Sequence, residues 1–359
     1  MSEITLLIQQ KFSMKMLIAK HHSVNNPEIS IIIPTYNCLK YLPLCIKSIQ
    51  KQLVESIEIL IIDDGSTDDT WQYLALAAQC DKRIKPIRIP QGGVAKARNY
   101  GLKIAKGQYI AFLDADDYWL SKKLIKQLHF HKYHPTVTLS FCNYLHFNEK
   151  NQDLGDCFNY WPHFKKHIRK QNYNYNSKGY VELNIHSTAT IFAENVIGTS
   201  SVMLNKKALN KQVYFDETLV SAEDWDFWLK ASLLGPIGFT NSIDVAYLMR
   251  PNSETSNNIN RLTYMQKIMC RYTKDVFKIR PLAFLACLSR LLTAYAEYYR
   301  ISKIEKYDRP FNLNHNLKAC LYHFMAFSIS PSKRLLKATL FDMKTFIFKL
   351  FAESIAKCK

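Results

Sequence analysis

The chain has 359 residues, of which 48% are hydrophobic, with only 10 Gly and 12 Pro. This composition indicates a globular protein with a large core and excludes a disordered or collagen-like chain. The formal net charge is +18, and the last 99 residues carry nineteen Lys or Arg against six Asp or Glu. The basic excess at the C-terminus predicts contact with an anionic surface, either membrane or nucleic acid, or simply a solvated basic face.

The nine cysteines are scattered, and none forms a Cys-x-x-Cys pair. Neither a zinc site nor a disulfide framework is indicated, and a reducing compartment is the simpler setting. No stretch reaches the roughly 18 uninterrupted apolar residues that a spanning helix needs. The N-terminus lacks the ordered regions of a signal peptide, so we expect a cytoplasmic protein in which residues 1–27 form an extension.

The first part of the chain alternates strands and helices. Four apolar, β-prone runs predict buried strands: Ile29–Ile33, Ile57–Ile62, Ile84–Ile89 and Tyr109–Leu113. One apolar face predicts a helix from Leu42 to Leu53. Ser66 or Thr67 is expected to cap the next helix, and Gly92-Gly93 to open the third. This alternation predicts βαβ units and a mostly parallel sheet flanked by helices.

Polar loops follow all four predicted strands. They read PTYN, DDGS, QGG and DADD, and in parallel sheets ligands bind at the carboxyl ends of the strands. No G-x-G-x-x-G follows the first strand, which argues against a nicotinamide enzyme, and no P-loop sequence is present. The four loops therefore predict one ligand site at one edge of the sheet.

The fourth loop contains Asp114, Asp116 and Asp117. Carboxylates this close repel one another unless a cation or hydrogen-bond donors share their charge. An Asp-x-Asp pair at a strand end suits Mg²⁺ or Mn²⁺, which bind one or two carboxylates together with phosphate oxygens. The alternative is a solvated acidic turn without a metal.

Two further groups of residues are candidates for chemistry. Lys96 and Arg98 lie near a helix N-terminus that favours anions, although a solvated position is the alternative. Glu223 and Asp224 lie in the first turn of a helix whose Trp225, Trp228, Leu229 and Ser232 share an inward face. Carboxylates there are stabilised as anions, which a general base requires, and the alternative is a purely structural pair of acids.

Taken together, these stretches resemble a known family. SIIIPTYN, EILIIDDGSTDDT, GGVAKARNYGLKIAKGQYIAFLDADD and, downstream, SAEDWDFWLKA are similar to the motifs of family 2 glycosyltransferases. The resemblance implies the GT-A fold, which is an α/β fold with a Rossmann-like, mostly parallel sheet flanked by helices. It places this domain over residues 28–255, followed by a basic helical region over 256–359.

The resemblance also implies an activity. We expect an inverting, metal-dependent hexosyl- or N-acetylhexosaminyltransferase that uses Mn²⁺ or Mg²⁺ and a nucleotide-sugar, with UDP-sugar as the expected donor. The expected acceptor is a hydroxyl of a glycan or lipid-linked glycan in the biosynthesis of bacterial surface polysaccharide, such as lipopolysaccharide. Nucleic acid is not an expected partner, because no reader motif accompanies the basic charge.

By position, the resemblance assigns roles to individual residues. Pro34, Tyr36 and Asn37 are expected to pack on the nucleobase, and Asp64 to accept the uracil N3–H, although an Asx turn at Asp63 and Asp64 is the alternative. The diphosphate is expected at Lys96 and Arg98, the ribose at Asp114, and the metal at Asp116 and Asp114. Asp224 is the expected base, and Glu223 is expected to orient the acceptor or the base. Arg250 stands where the family often has a metal-binding His; it cannot bind a cation but suits phosphate oxygens.

The last predicted helix starts at Lys333 and carries an apolar stripe edged by lysines. A basic amphipathic helix of this kind can lie on an anionic membrane, here the inner face of the cytoplasmic membrane, and a helix packed on its neighbours is the alternative. The rival functions are a non-catalytic nucleotide- or sugar-binding module and a nucleotidyltransferase. The intact Asp64, Asp116 and Asp224 argue against the first, and the absence of a Gly-rich GGxGTR loop argues against the second.

Overall fold

The structure, a computed structural model, describes residues 26–161, 164–166, 168, 179–183, 187–250, 258–301 and 313–357. Within these ranges, no helix is both long enough and apolar enough to span a bilayer.

One ten-stranded sheet forms the centre of the molecule. Its strands are β1 (Ile29–Thr35), β2 (Ile57–Asp63), β3 (Ile84–Arg88), β4 (Tyr109–Phe112), β5 (Tyr118–Trp119), β6 (Leu139–Asn148), β7 (Asp153–Asp156), β8 (Val181–Leu183), β9 (Met203–Asn205) and β10 (Ile237–Met249). The strand order is β3-β2-β1-β4-β9-β6-β10-β5, with β7 beside β6 and β8 beside β10. The strands from β3 to β4 are parallel to one another, and β6 is parallel to β10. The predicted mostly parallel sheet is confirmed.

Twelve helices flank the sheet or follow it in the described part of the chain. The first eight are α1 (Leu42–Gln50), α2 (Thr70–Cys80), α3 (Val94–Ile104), α4 (Lys123–Tyr133), α5 (Cys157–Tyr160), α6 (Ser187–Ala193), α7 (Lys206–Leu209) and α8 (Glu223–Leu234). The last four are α9 (Asn258–Ile279), α10 (Pro281–Ile301), α11 (Leu313–Ile329) and α12 (Lys333–Lys357). Consecutive members of the last four pack together, and α9 and α10 also pack against α6.

The core lies on both sides of the parallel strands. Every residue of β1 and β2 is buried, as expected for strands covered by helices on both faces. On one side an aromatic cluster joins β4 to α8: Phe215 stacks on Phe227 with ring centres 4.3 Å apart, and Phe112 meets Phe215 edge-on at 5.5 Å. This packing brings the N-terminus of α8 to the loop that follows β4.

Three local predictions were wrong. The helix α1 ends at Gln50, because the side chain of Gln52 bonds the Leu120 carbonyl and the chain turns there, which leaves Leu53 63% exposed. Neither Ser66 nor Thr67 caps α2, which begins at Thr70; the Ser66 hydroxyl instead accepts the backbone N–H of Asn37 in the loop after β1. The pairing of β1 with β2 also continues two residues beyond the predicted strand end, through Pro34 to Thr35.

Candidate active site

Asn37 connects the loops after β1 and β2 through hydrogen bonds. Its side-chain oxygen accepts the backbone N–H groups of Thr67, at 2.8 Å, and Asp68, at 3.3 Å, while its own N–H donates to the Ser66 hydroxyl at 2.9 Å. Asn37 adopts a left-handed conformation with φ of 50°, which Asn tolerates better than most residues. Tyr36, beside it, is exposed, whereas Pro34 is buried within β1. The nucleobase contact therefore stays a prediction, and Tyr36 and Asn37 are the two of these residues with exposed surface for it.

Asp64 holds the glycine loop that precedes α3, Gly92-Gly93, through hydrogen bonds. Its two carboxylate oxygens accept the N–H groups of Gly92, at 2.8 Å, and Gly93, at 2.7 Å. The side chain of Lys96 folds over Gly92, where a Cβ would lie 2.2 Å from the lysine Cδ. The predicted uracil contact of Asp64 and the diphosphate contact of Lys96 stay predictions. The Asx-turn alternative applies to Asp63, whose side chain accepts the Ser66 N–H at 3.1 Å.

Asp117, the last acid of DADD, links its loop to the rest of the sheet. It is buried and accepts hydrogen bonds from the Leu248 N–H at 2.9 Å and the Ser200 hydroxyl at 2.5 Å. Burial, together with the nearby charges of Asp116 and Asp114, raises the pKa of this carboxyl well above its usual value. Its partners connect the loop to β10 and to the turn at Thr199–Ser201, so Asp117 supports the site.

Arg98 joins the two acidic groups of the site. Its side chain is 4% exposed, and its two terminal nitrogens donate to Asp114, at 2.8 Å, and to Glu223, at 2.7 Å. The alternative of a solvated Arg98 is wrong, because the side chain is buried and two carboxylates contact its guanidinium. The expected diphosphate contact of Arg98 stays a prediction. The bridge places the first acid of the DADD loop next to the N-terminus of α8.

Arg250 pairs with the middle acid of the DADD loop. Its guanidinium lies 2.5 Å from an oxygen of Asp116, and its central carbon lies 5.2 Å from the ring centre of Tyr41. The Tyr41 hydroxyl donates to Glu149 at 2.5 Å, which ties the loop after β1 to the end of β6. The structure thus gives Arg250 a carboxylate partner, whereas the sequence suggested a phosphate.

Asp114 and Asp116 are the candidate ligands of a divalent ion. Among the described residues, no group of three or more His, Cys, Asp or Glu is arranged to hold a metal. Asp114 and Asp116 each use only one oxygen in an ion pair. Mg²⁺ typically takes one or two carboxylates and completes its shell with phosphate oxygens and water. Two carboxylates at a strand end fit an ion bound in that way, without a third protein ligand.

Glu223 and Asp224 begin α8, as predicted. The residue before them, Ala222, is left-handed with φ of 61°, and an oxygen of Asp224 accepts the N–H of Trp225 at 2.6 Å. The Asp224 carboxyl keeps some exposed surface but is surrounded by protein on most sides. Burial and the neighbouring charge of Glu223 raise its pKa to about 7, against the opposing effect of Arg98.

The expectation that Asp224 is fully ionised at neutral pH is therefore corrected. The positive end of the helix does not outweigh burial and the adjacent carboxylate. A carboxyl with a pKa close to neutrality is well matched to transferring a proton, because it is ionised in part and still basic.

Sequence reasoning missed Ser200. Its hydroxyl donates to Asp117, it accepts the backbone N–H of Asp114 at 3.0 Å, and its carbonyl accepts the indole N–H of Trp119 at 2.8 Å. It lies more than eighty residues from these partners in the chain. No local pattern marks it, so only the fold identifies it as a support of the DADD loop.

Comparison with known proteins adds family information. Residues 30–192 match the model of the family described as Glycosyl transferase family 2. Over 243 residues the chain is 33% identical to the Escherichia coli protein WfaP, named UDP-Glc:alpha-D-GlcNAc-diphosphoundecaprenol beta-1,3-glucosyltransferase; the match covers 67% of this chain and 85% of that protein. Several other curated relatives are longer, and the chain spans between 32% and 44% of their length.

Solved structures share the fold. TarS 1–349 of S. aureus in complex with UDP-GlcNAc matches with a TM-score of 0.53 and 17% identity, over 89% of this chain and 90% of that one. The mannosyltransferase PcManGT of Pyrobaculum calidifontis, in complex with GDP-Man and Mn²⁺, matches with a TM-score of 0.53 and 14% identity, over 99% and 95%. At these identities the likeness is one of architecture.

Proposed function

Because the chain belongs to glycosyl transferase family 2, we propose that it transfers a sugar from a UDP-sugar, with inversion, to a hydroxyl of a lipid-linked glycan acceptor. The observation that carries the proposal is the bridge by Arg98 between Asp114 and Glu223. A transferase must hold its donor diphosphate beside its base, and this bridge joins Asp114, expected at the metal and ribose, to Glu223, which precedes the expected base Asp224. We propose the transferase domain over residues 28–255 and a separate basic helical region over 256–359.

On the donor side, the chain supplies a base-binding loop, a basic loop and two carboxylates. Tyr36 offers an exposed ring to the nucleobase, and Asp64 holds the glycine loop from which Lys96 reaches the donor diphosphate. Asp116 and Asp114 would hold a Mg²⁺ or Mn²⁺ ion. That ion would neutralise negative charge on the departing diphosphate. The mannosyltransferase with the same fold was solved with Mn²⁺, which supports this assignment.

On the acceptor side, Asp224 takes the proton from the attacking hydroxyl. Its raised pKa keeps it a good acceptor, and the hydroxyl attacks the anomeric carbon from the face opposite the diphosphate. Glu223 is held by Arg98 and fixes the start of α8. A direct displacement of this kind inverts the anomeric configuration.

The acceptor class is suggested by the relative WfaP, whose name specifies a sugar linked through a diphosphate to undecaprenol. By analogy, we propose a lipid-linked acceptor and a role in surface polysaccharide biosynthesis. An enzyme with such a substrate works at a membrane face, and the C-terminal helices offer a surface for that contact.

The membrane-facing surface that we propose is an apolar stripe on α12. Four residues at successive turns of the helix are between 41% and 55% exposed: Leu336, Leu340, Met343 and Ile347. Exposed Lys333, Lys337 and Lys344 lie along one edge of this stripe. The neighbouring α11 also exposes apolar side chains: Leu317, Leu321, Phe324 and Met325. An exposed apolar stripe edged by lysines complements an anionic lipid surface.

The opposite face of α12 packs on the neighbouring helices, as the alternative prediction proposed for the helix as a whole. There Asp342 is buried and bonds His323 of α11 at 2.5 Å and Arg300 of α10 at 2.8 Å. This network holds α12 in place and leaves the stripe outward. The residues of the predicted stripe from Lys349 onward, Leu350 and Phe351 included, lie outside the described side chains.

The donor proposal is tested by a thermal-shift screen of nucleotide-sugars with and without Mn²⁺. A UDP-sugar at a hundred times its dissociation constant should add about 2.7 kcal/mol of stability. Stabilisation by UDP-sugars that depends on Mn²⁺ is the expected result. A response to GDP-sugars alone would refute the donor class, and binding without transfer to any acceptor would favour the non-catalytic module.

The membrane proposal is tested by sedimentation with phosphatidylglycerol vesicles. Leu340→Ser combined with Ile347→Ser should weaken the sedimentation of the full chain, and high salt should weaken that of the unaltered protein. Leu44→Ser is the matched control, since Leu44 is a similarly exposed leucine on α1. Equal sedimentation of all three proteins would contradict the proposal.

A further inference from the structure

Arg290 brings a positive charge from the C-terminal helices to the proposed catalytic base. It lies on α10, and its guanidinium carbon is 4.2 Å from the ring centre of Trp225 and 5.9 Å from that of Trp161. Trp225 directly follows Asp224, and its indole N–H is fixed by the Ile191 carbonyl at 2.9 Å. Arg290 is thus stacked on a rigid ring at the acceptor side of the site.

This guanidinium has no counter-ion among the described residues. No ion pair joins it to a described carboxylate, and its buried Nη1 has no hydrogen-bond partner there. Stacking on an indole compensates a cation only in part. The other arginines around the site differ, because Arg98 and Arg250 each contact a carboxylate directly. A half-buried arginine whose guanidinium contacts no carboxylate suits a phosphate group, because two phosphate oxygens can accept parallel hydrogen bonds from its nitrogens.

The Arg290 guanidinium lies in a partly buried environment of mixed charge. Burial lowers the pKa of the guanidinium, and the positive charge of Arg261 adds to that effect, while Cys287, Glu194 and Asp224 oppose it. An oxygen of Glu194 is engaged elsewhere, since it accepts the backbone N–H of Phe164 at 2.6 Å. No described carboxylate contacts the Arg290 guanidinium, so a bound anion would supply the counter-charge that this side chain lacks.

The donor diphosphate is assigned to Lys96 and the DADD loop, whereas Arg290 stacks on Trp225, the residue that follows Asp224 in the chain. A second anion beside Asp224 therefore belongs to the molecule whose hydroxyl Asp224 deprotonates. We propose that Arg290 binds the phosphate attached to the acceptor sugar, and so selects acceptors that are sugar phosphate esters. This inference rests on the proposed function, since it takes Asp224 as the acceptor-side base.

Kinetics with two acceptors test the inference in the full chain. One is GlcNAc linked through a diphosphate to a short polyprenyl chain, and the other is the methyl glycoside of GlcNAc. Arg290→Gln should raise the KM for the diphosphate acceptor roughly 10- to 100-fold, the range expected for lost hydrogen bonds to a charged group. UDP-sugar hydrolysis without acceptor, and transfer to the methyl glycoside, should not change.

Two further variants define the role of the side chain. Arg290→Lys keeps the charge but loses the fork, so its KM should lie between those of the unaltered protein and Arg290→Gln. Lys278→Gln removes an exposed charge from the adjacent α9 and should leave the KM unchanged. An unchanged KM in Arg290→Gln, or an equal loss with both acceptors, would overturn the inference.

A binding measurement separates this inference from the proposed function. With UDP and Mn²⁺ saturating the donor site, calorimetry should detect the diphosphate-linked sugar on the unaltered protein and at least tenfold weaker binding to Arg290→Gln, or to Arg290→Lys where the glutamine variant does not fold. Absence of binding to the unaltered protein would overturn the anion site. Binding without any transfer would instead count against the proposed function and leave the anion site supported.

Discussion

Replacement of Asp224 by Asn should abolish turnover and at the same time stabilise the protein. Asn keeps the size of the side chain but cannot accept the proton of the attacking hydroxyl. Loss of a general base typically costs about 10²–10⁴-fold in rate. Affinity for UDP-sugar should stay near normal, because Asp224 does not belong to the loops assigned to the donor.

The gain in stability follows from the raised pKa of Asp224. The folded pKa is about 7 against an ordinary 3.8, so the folded protein holds a proton that the unfolded chain releases. Stability from this group is present below pH 4 and is lost as the pH rises through 7. At 1.36 kcal/mol per unit, the loss is on the order of 4 kcal/mol at most, and partial exposure reduces it to roughly 1–3 kcal/mol. An asparagine side chain at this position carries no such cost, so the variant should melt higher than the unaltered protein at pH 8 and equally at pH 4.

The assay combines UDP release with thermal unfolding across pH 4–8. In the unaltered enzyme, kcat/KM should rise with pH through about 7 as Asp224 loses its proton. Asp226→Asn is the matched control on the same helix. Asp226 is fully buried and pairs with Arg271 at 2.5 Å and Lys230 at 2.7 Å, so its replacement should lower the melting temperature.

Retention of turnover in Asp224→Asn would refute the base assignment. A fall in its melting temperature at pH 8 would refute the origin of the pKa. If Glu223→Gln is the inactive variant instead, the roles of the two acids are reversed.

Three further predictions concern the donor side. Asp116→Asn should abolish Mn²⁺-dependent UDP binding while the fold is kept, and unchanged binding in calorimetry would contradict the metal assignment. Arg98→Met should destabilise the protein by about 3–5 kcal/mol, because it leaves two partly buried carboxylates without their shared cation; chemical denaturation measures this, and a change below about 1 kcal/mol would show that the bridge is dispensable. Gly92→Ala should weaken UDP binding with little change in melting temperature, since its new Cβ displaces only the end of the Lys96 side chain. Equal UDP affinity in the alanine variant would contradict a role for Lys96.

The parallel strands and the convergence of their loops could be predicted from the sequence, because both depend on local patterns. Apolar runs ending in Asp64 or Asp114 mark strand ends, and parallel strand ends meet at one edge of a sheet. The start of α8 at Glu223 was likewise predictable from its flanking pattern. These are features in which a few adjacent residues decide the structure.

The contacts between side chains within the site could not be predicted in this way. The sequence left Arg98 between a diphosphate contact and a solvated position, yet the fold buries it against a carboxylate 125 residues away. The pKa of Asp224 depends on how tightly the protein surrounds it, which no spacing reveals. No sequence pattern marked Arg290 as a site residue. Its proposed role depends on stacking on Trp225, a contact between residues 65 positions apart in the chain.

The proposed activity is tested most directly by UDP release from UDP-sugars in the presence of diphosphate-linked GlcNAc acceptor and Mn²⁺, followed by the anomeric configuration of the product. The account predicts acceptor-dependent release of UDP by the unaltered protein, a product of inverted configuration, and neither in Asp224→Asn. Retained anomeric configuration, or transfer at an unchanged rate by the Asp224→Asn variant, would contradict it.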